Sequence, residues 1–152
     1  MANPVTDTVR KFSKLLAYAK TVSISAGVPA EVYAGTTYQG MADLIPALLV
    51  QSQGQPCAIV CYGGSEYGNS PRRISTINII VLQGHTRAVS GTMTVLKAAE
   101  DIIAKLDDVI YEDVEGDYPI TEKWKIASDE LVDIDGLQAA ACIVLSFTVE
   151  DY

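Results

Sequence analysis

The stretch Cys57-Ala-Ile-Val-Cys-Tyr62-Gly-Gly64, followed by Arg72-Arg-Ile-Ser-Thr-Ile-Asn-Ile-Ile-Val-Leu-Gln83, decides how this chain reads. The first part is a short apolar run bounded by Pro56 and by Gly63-Gly64, the pattern of a buried strand. The second is rich in β-branched residues, and both of its faces are largely apolar. That places Arg73 to Gln83 in the middle of a sheet, where neither face meets water. Between them, residues 63 to 71 hold three glycines, Asn69, two serines and Pro71, which predicts a loop with Tyr62 and Tyr67 at its ends.

Upstream lies a helix. Asn3 is an N-cap and Pro4 the first helical residue. Val5, Val9, Phe12, Leu16 and Ala19 recur at spacings of three and four, which makes one helical face, and Gly27 and Pro29 end it. Ala34 to Gly40 reads as loop, and Asp43 caps a short helix through Leu44, Ile45, Leu48 and Leu49. Downstream of the central strand comes a second amphipathic helix with Val89, Met93, Leu96, Ala99, Ile103 and Leu106 on its apolar face. Val109 and Ile110 lead into an acidic loop that Pro119 closes. Then Trp124, Ile126 and Ser128 alternate with Lys123, Lys125 and Ala127 in a strand from Glu122 to Ile134. Asp135-Gly136 turns it into a partner running to Asp151. That partner carries Ala141, Ile143, Leu145, Phe147 and Val149 on one face, and Ala140, Cys142, Val144, Ser146, Thr148 and Glu150 on the other. The order α, α, β, β, α, β, β predicts one α+β domain over residues 1–152, with helices packed on one face of a mainly antiparallel sheet and a C-terminal β-hairpin.

A length of 152 residues suits one domain, and 49% apolar with 20% charged residues suits a folded core. No apolar run approaches the ~20 residues of a membrane span, and the first twenty residues read as no signal peptide. Three cysteines are too few and too odd for a disulfide framework, so a reducing compartment is expected. The net charge of −8 argues against nucleic-acid binding and is unevenly spread. Residues 1–100 hold eight basic and five acidic side chains; residues 101–152 hold three and fourteen. Six acids, Asp107, Asp108, Glu112, Asp113, Glu115 and Asp117, fall within eleven positions. They are either a solvated loop or a patch that meets a basic surface on another copy or partner.

Reaction chemistry finds little support. His85, the only histidine, has no nucleophile and orienting partner at a triad spacing. Cys57 and Cys61, four apart on a strand, project to one face roughly 13 Å from each other, too far for a disulfide or a shared metal. They read as buried, inert thiols. Gly63-Gly64-Ser65 followed by Gly68 lacks the Lys-Ser/Thr of a phosphate loop and precedes a strand where a helix is needed. The acidic run misses the spacing of a calcium loop. No catalytic residue, cofactor or metal is therefore assigned. Tyrosine stands out instead, with eight against two Phe and one Trp. Tyr33, Tyr38, Tyr62, Tyr67 and Tyr118 each lie within two residues of a glycine in an expected loop, either as contact residues of a protein-binding surface or as half-buried side chains that pin loops to the body.

The N-terminal helix, the Pro56-to-Gly64 strand, Arg72-Arg73 opening a long apolar strand, the amphipathic helix and the terminal hairpin together resemble the tail terminator (tail completion or neck) proteins of long-tailed bacteriophages. The chain resembles in particular the small neck proteins of Mu-like contractile-tailed phages. The resemblance spans the chain. It implies a structural virion protein, not an enzyme, that caps the tail tube as a hexameric ring, ends polymerisation and offers the head-joining surface. Its implied partners are other copies of itself, the tail tube protein, the tail sheath protein and the head-tail connector, with DNA only passing through the lumen and no membrane. Its implied location is the tail or neck of the virion, after assembly in the host cytoplasm. The candidate interface residues are Tyr62, Tyr67, Arg72 and Arg73 on one side and the six acids from Asp107 to Asp117 on the other. The alternative is a small soluble α+β ligand-binding or regulatory domain with the Tyr62–Tyr67 loop as a pocket lip.

Overall fold

A computed structural model describes residues 4–33, 55–67, 73–84, 91–113, 120–131 and 139–151. The elements in chain order are α1 (Pro4–Ser25), β1 (Ala30–Tyr33), β2 (Cys57–Tyr67), β3 (Arg73–Gly84), α2 (Gly91–Leu106), β4 (Ile110–Asp113), β5 (Ile120–Leu131) and β6 (Ala139–Asp151). The six strands form one sheet in the order β1-β2-β3-β6-β5-β4. Only the β1–β2 pairing is parallel. Both helices pack on the same face, so the fold is α+β with a mostly antiparallel sheet. The expected short helix at Asp43 and the turn at Asp135-Gly136 lie outside the described residues, as does His85.

The helix-bearing face follows from alternation. Ala58 and Val60 of β2, Ile77, Ile79 and Val81 of β3, and Ile143, Leu145, Phe147 and Val149 of β6 all point there and are buried. Leu15, Leu16, Ala19 and Val22 of α1 meet them; of the predicted face, Leu16 and Ala19 are buried and Phe12 partly so, and Leu15 and Val22 widen it. Trp124 of β5 is fully buried in this core, 6.2 Å from Phe147 in an edge-on arrangement and 6.0 Å from Tyr18, which itself lies 4.6 Å from Tyr111. The helix α1 stops as expected. Gly27 adopts φ +85°, Val28 N–H donates to Ser23 C=O (3.0 Å) and Gly27 N–H to Ile24 C=O (2.9 Å). This closes the last turn in a Schellman motif, which glycine enters without steric cost.

On α2 the buried arc differs from the expected one. Val95, Ala98, Ala99, Ile102 and Leu106 are buried, whereas Leu96 and Ile103 are only partly so. The helix is apolar over a wide arc, and packing centres it one residue back from the predicted stripe. The opposite face of the sheet holds a smaller core of Cys57, Ile59, Cys61, Ile80, Leu82 and Cys142. This is why β3, hydrogen-bonded between β2 and β6, is apolar on both sides. Further along the same face the sheet turns polar, and the Ser146 hydroxyl donates to Asn78 Oδ1 (2.9 Å).

Three expectations need correction. Residues 63–67 are not loop: β2 continues to Tyr67, paired down to Arg73, with a register shift between Tyr62 and Gly64. A β-bulge there explains the two glycines. Gly64 has φ +105°, and a Cβ on Gly63 would come within 2.7 Å of Asn78 Nδ2. The acidic segment is not all loop either, because Ile110–Asp113 forms β4 against Ile120–Lys123. The order α, α, β, β, α, β, β also lacks Ala30–Tyr33, which is β1.

Candidate interaction surface

The tyrosine–arginine region lies along the β2–β3 ladder. Tyr62 follows five buried residues of β2 and is 40% exposed, its ring 4.6 Å from that of Phe12 in α1. Beyond the bulge, Tyr67 and Arg73 are direct register partners at the end of the ladder. The backbone register therefore sets Tyr67 opposite Arg73, with Tyr62 further down the same strand; Arg72 lies outside the described residues.

Asp107, Asp108, Glu112 and Asp113 sit across the sheet, at and beside β4, which lies three strand spacings from β3 or about 14 Å. Their roles are largely internal. Asp107 follows the end of α2 and its carboxylate accepts the Ile126 N–H (2.9 Å). Asp108 takes φ +63°, a conformation that aspartate tolerates better than most residues. Its N–H donates to Trp124 C=O and Trp124 N–H donates to Val109 C=O, both at 2.9 Å. Its carboxylate accepts from Lys125 Nζ (3.0 Å), with Lys123 Nζ at 4.0 Å. The hydrogen bond and charge of Lys125 hold the Asp108 carboxyl below the usual carboxylate range, and Asp108 in turn raises Lys125. Asp113 is nearly buried and pairs with Lys14 of α1 (3.6 Å). Glu112 is exposed, and Glu115 and Asp117 lie outside the described residues.

Two features were not legible as site residues. Glu122 of β5 is 1% exposed and forms an ion pair with Lys11 of α1. With Lys14–Asp113, this pins α1 across β5 and β4. The second feature is the far end of β5. From Ala127 to Leu131 every side chain is exposed, including Leu131 at 56%. The signal for it was an aspartate and a glutamate inside a strand otherwise expected to alternate.

Among the described residues, reactive groups do not converge. Cys57, Cys61 and Cys142 form no disulfide and are buried on the face away from the helices. Burial pushes the Cys142 thiol up to about 11 and raises Cys61 as well, so both stay protonated near neutrality. Among the described residues no group of three or more His, Cys, Asp or Glu side chains could hold a metal ion. An open groove between the end of α1 and β1, lined by Lys20, Ile24, Gly27 and Glu31, is crossed by the Lys20–Glu31 ion pair at 3.4 Å. No described helix is long and apolar enough to cross a membrane. No protein-family model matches the sequence, and no curated protein matches it.

Proposed function

We infer that this chain is a structural subunit that caps the tube of a long-tailed phage tail as a ring, ends tail growth and presents the surface to which the head is joined. The observation that carries the reading is the separation, within one sheet, of the β2–β3 ladder end, where exposed Tyr62 leads to the Tyr67/Arg73 backbone pair, from the β4 edge, where Glu112 is exposed. The Tyr62–Tyr67 and Arg73 ladder lies on β2 and β3, and the acidic β4 edge lies three strands further on. A closed ring is built from heterologous contacts, in which one surface of a subunit meets a different surface of its neighbour. Tyrosine supplies contact area and the charges supply register, since exposed pairs are worth only ~0–1 kcal/mol each and cannot hold a ring alone. The α+β frame, with helices on one face and a long antiparallel β3–β6–β5 centre, supports the reading through the order of elements in which the sequence resembles tail terminators. On this reading the chain resides in the tail or neck of the virion and contacts tube, sheath and connector proteins.

Electron microscopy of purified tail tubes mixed with the labelled chain tests this. The expected result is label at one tip of each tube and an end to further tube growth. Label along the tube wall, or none at all with fully folded protein, contradicts it.

A further inference from the structure

Among the described residues, the edge of β5 that faces away from β6 is closed by the protein's own groups only as far as Ile126. Both backbone polar groups of Trp124 bond to Asp108 and Val109, and the Ile126 N–H goes to the Asp107 carboxylate. At these positions the backbone therefore points away from β6. The register shift between Ile126 and Ser128 inserts one residue. The next residues whose N–H and C=O point away from β6 are then Asp129 and Leu131, the register partners of Leu145 and Ile143. Their side chains share one face two positions apart, both are exposed, and among the described residues no strand pairs with them on that side.

We propose that this edge binds an extended segment of another protein by strand addition, and that the segment carries a Lys or Arg opposite Asp129 and an apolar residue opposite Leu131. Backbone bonds to Asp129 and Leu131 give affinity, and the two side-chain positions give selectivity. Charge selects the occupant. A second copy docking its free β5 edge on this one brings the Asp129 and Glu130 of one chain beside those of the other. Like charges directly opposite one another on adjacent strands are unfavourable, so the partner is a different, basic chain. This inference does not depend on the ring reading.

The test uses a labelled peptide of repeating lysine–threonine–valine–threonine, which alternates Lys and Val on one face, and its glutamate-for-lysine counterpart. Binding to the full chain is read by fluorescence anisotropy, and amide shifts locate it. The lysine peptide should bind tighter than the glutamate peptide by about threefold or more, with shifts at Ser128–Leu131. Asp129→Lys, an exposed change, should reverse the preference. Leu131→Pro removes an N–H that faces away from β6 and should abolish binding while thermal unfolding stays cooperative. Absence of binding at millimolar peptide, equal binding of both peptides, or shifts elsewhere would overturn the proposal. So would concentration-dependent self-association that Asp129→Lys removes, because the occupant would then be a second copy.

Discussion

Glu122, sealed inside the sheet at 1% exposure, forms an ion pair with Lys11 of α1, which is itself three-quarters covered. A carboxylate this deep keeps its charge only because a cation comes with it. The pair therefore sets where α1 lies on the sheet, with Lys14–Asp113 repeating the device one turn along.

Removing one member leaves the other buried. Lys11→Met should destabilise on the order of 3 kcal/mol in denaturant unfolding. The double variant Lys11→Met with Glu122→Met should lose less than the single one, because two apolar side chains replace the pair. If the double variant is the weaker of the two, the pair is not the unit that matters.

The buried arc of α2 is testable by a comparison within one helix. Ile102 is fully buried and Leu96 is not. Ile102→Ala should cost ~2–5 kcal/mol, and Leu96→Ala clearly less, in the same unfolding assay. The reverse ranking would restore the stripe that the sequence alone predicts.

That stripe shows what the sequence conveys and what it withholds. The face of α1, its stop at Gly27, the central place of β3 and the two faces of β6 follow from spacing and from glycine chemistry. Each is dictated by residues close together in the chain. The misreadings arise where distant residues decide. Val95 and Leu96, or Ile102 and Ile103, are equally apolar neighbours, and only the sheet beneath chooses between them. The bulges at Tyr62/Gly64 and Ile126/Ser128 each insert one residue, which moves every later side chain to the other face; hence Asp129, not Ser128, shares the face of Trp124. Four-residue β1 and β4 are strands because β2 and β5 lie beside them. For the candidate surface, the sequence located the acids but not their pairing with Lys14, Lys123 and Lys125.

Asp108 and Lys125 carry a pH signature. The Asp108 carboxyl is lowered in the folded chain, so its contribution is present above the ordinary aspartate range and disappears as pH falls through the lowered value. Lys125 is raised, so its share persists to higher pH and is lost as pH climbs through the raised value. In Lys125→Met, the Asp108 carboxyl should titrate at higher pH than in the parent, followed by NMR. An unchanged titration would remove Lys125 as the cause.

Burial of the thiols predicts their reactivity. At mildly alkaline pH, iodoacetamide should label Cys61 and Cys142 far more slowly in the folded chain than in denaturant, since the nucleophilic thiolate is suppressed and access is blocked. Comparable rates in the two states would mean that the face opposite the helices opens readily.

The ring itself is decided by mass. Native mass spectrometry of the chain, over a range of concentrations and with tail tubes present, should show an assembly near six times the 16.3 kDa subunit, at least on the tubes. A chain that stays at 16.3 kDa at every concentration, with and without tubes, would contradict the account and favour a monomeric binding domain.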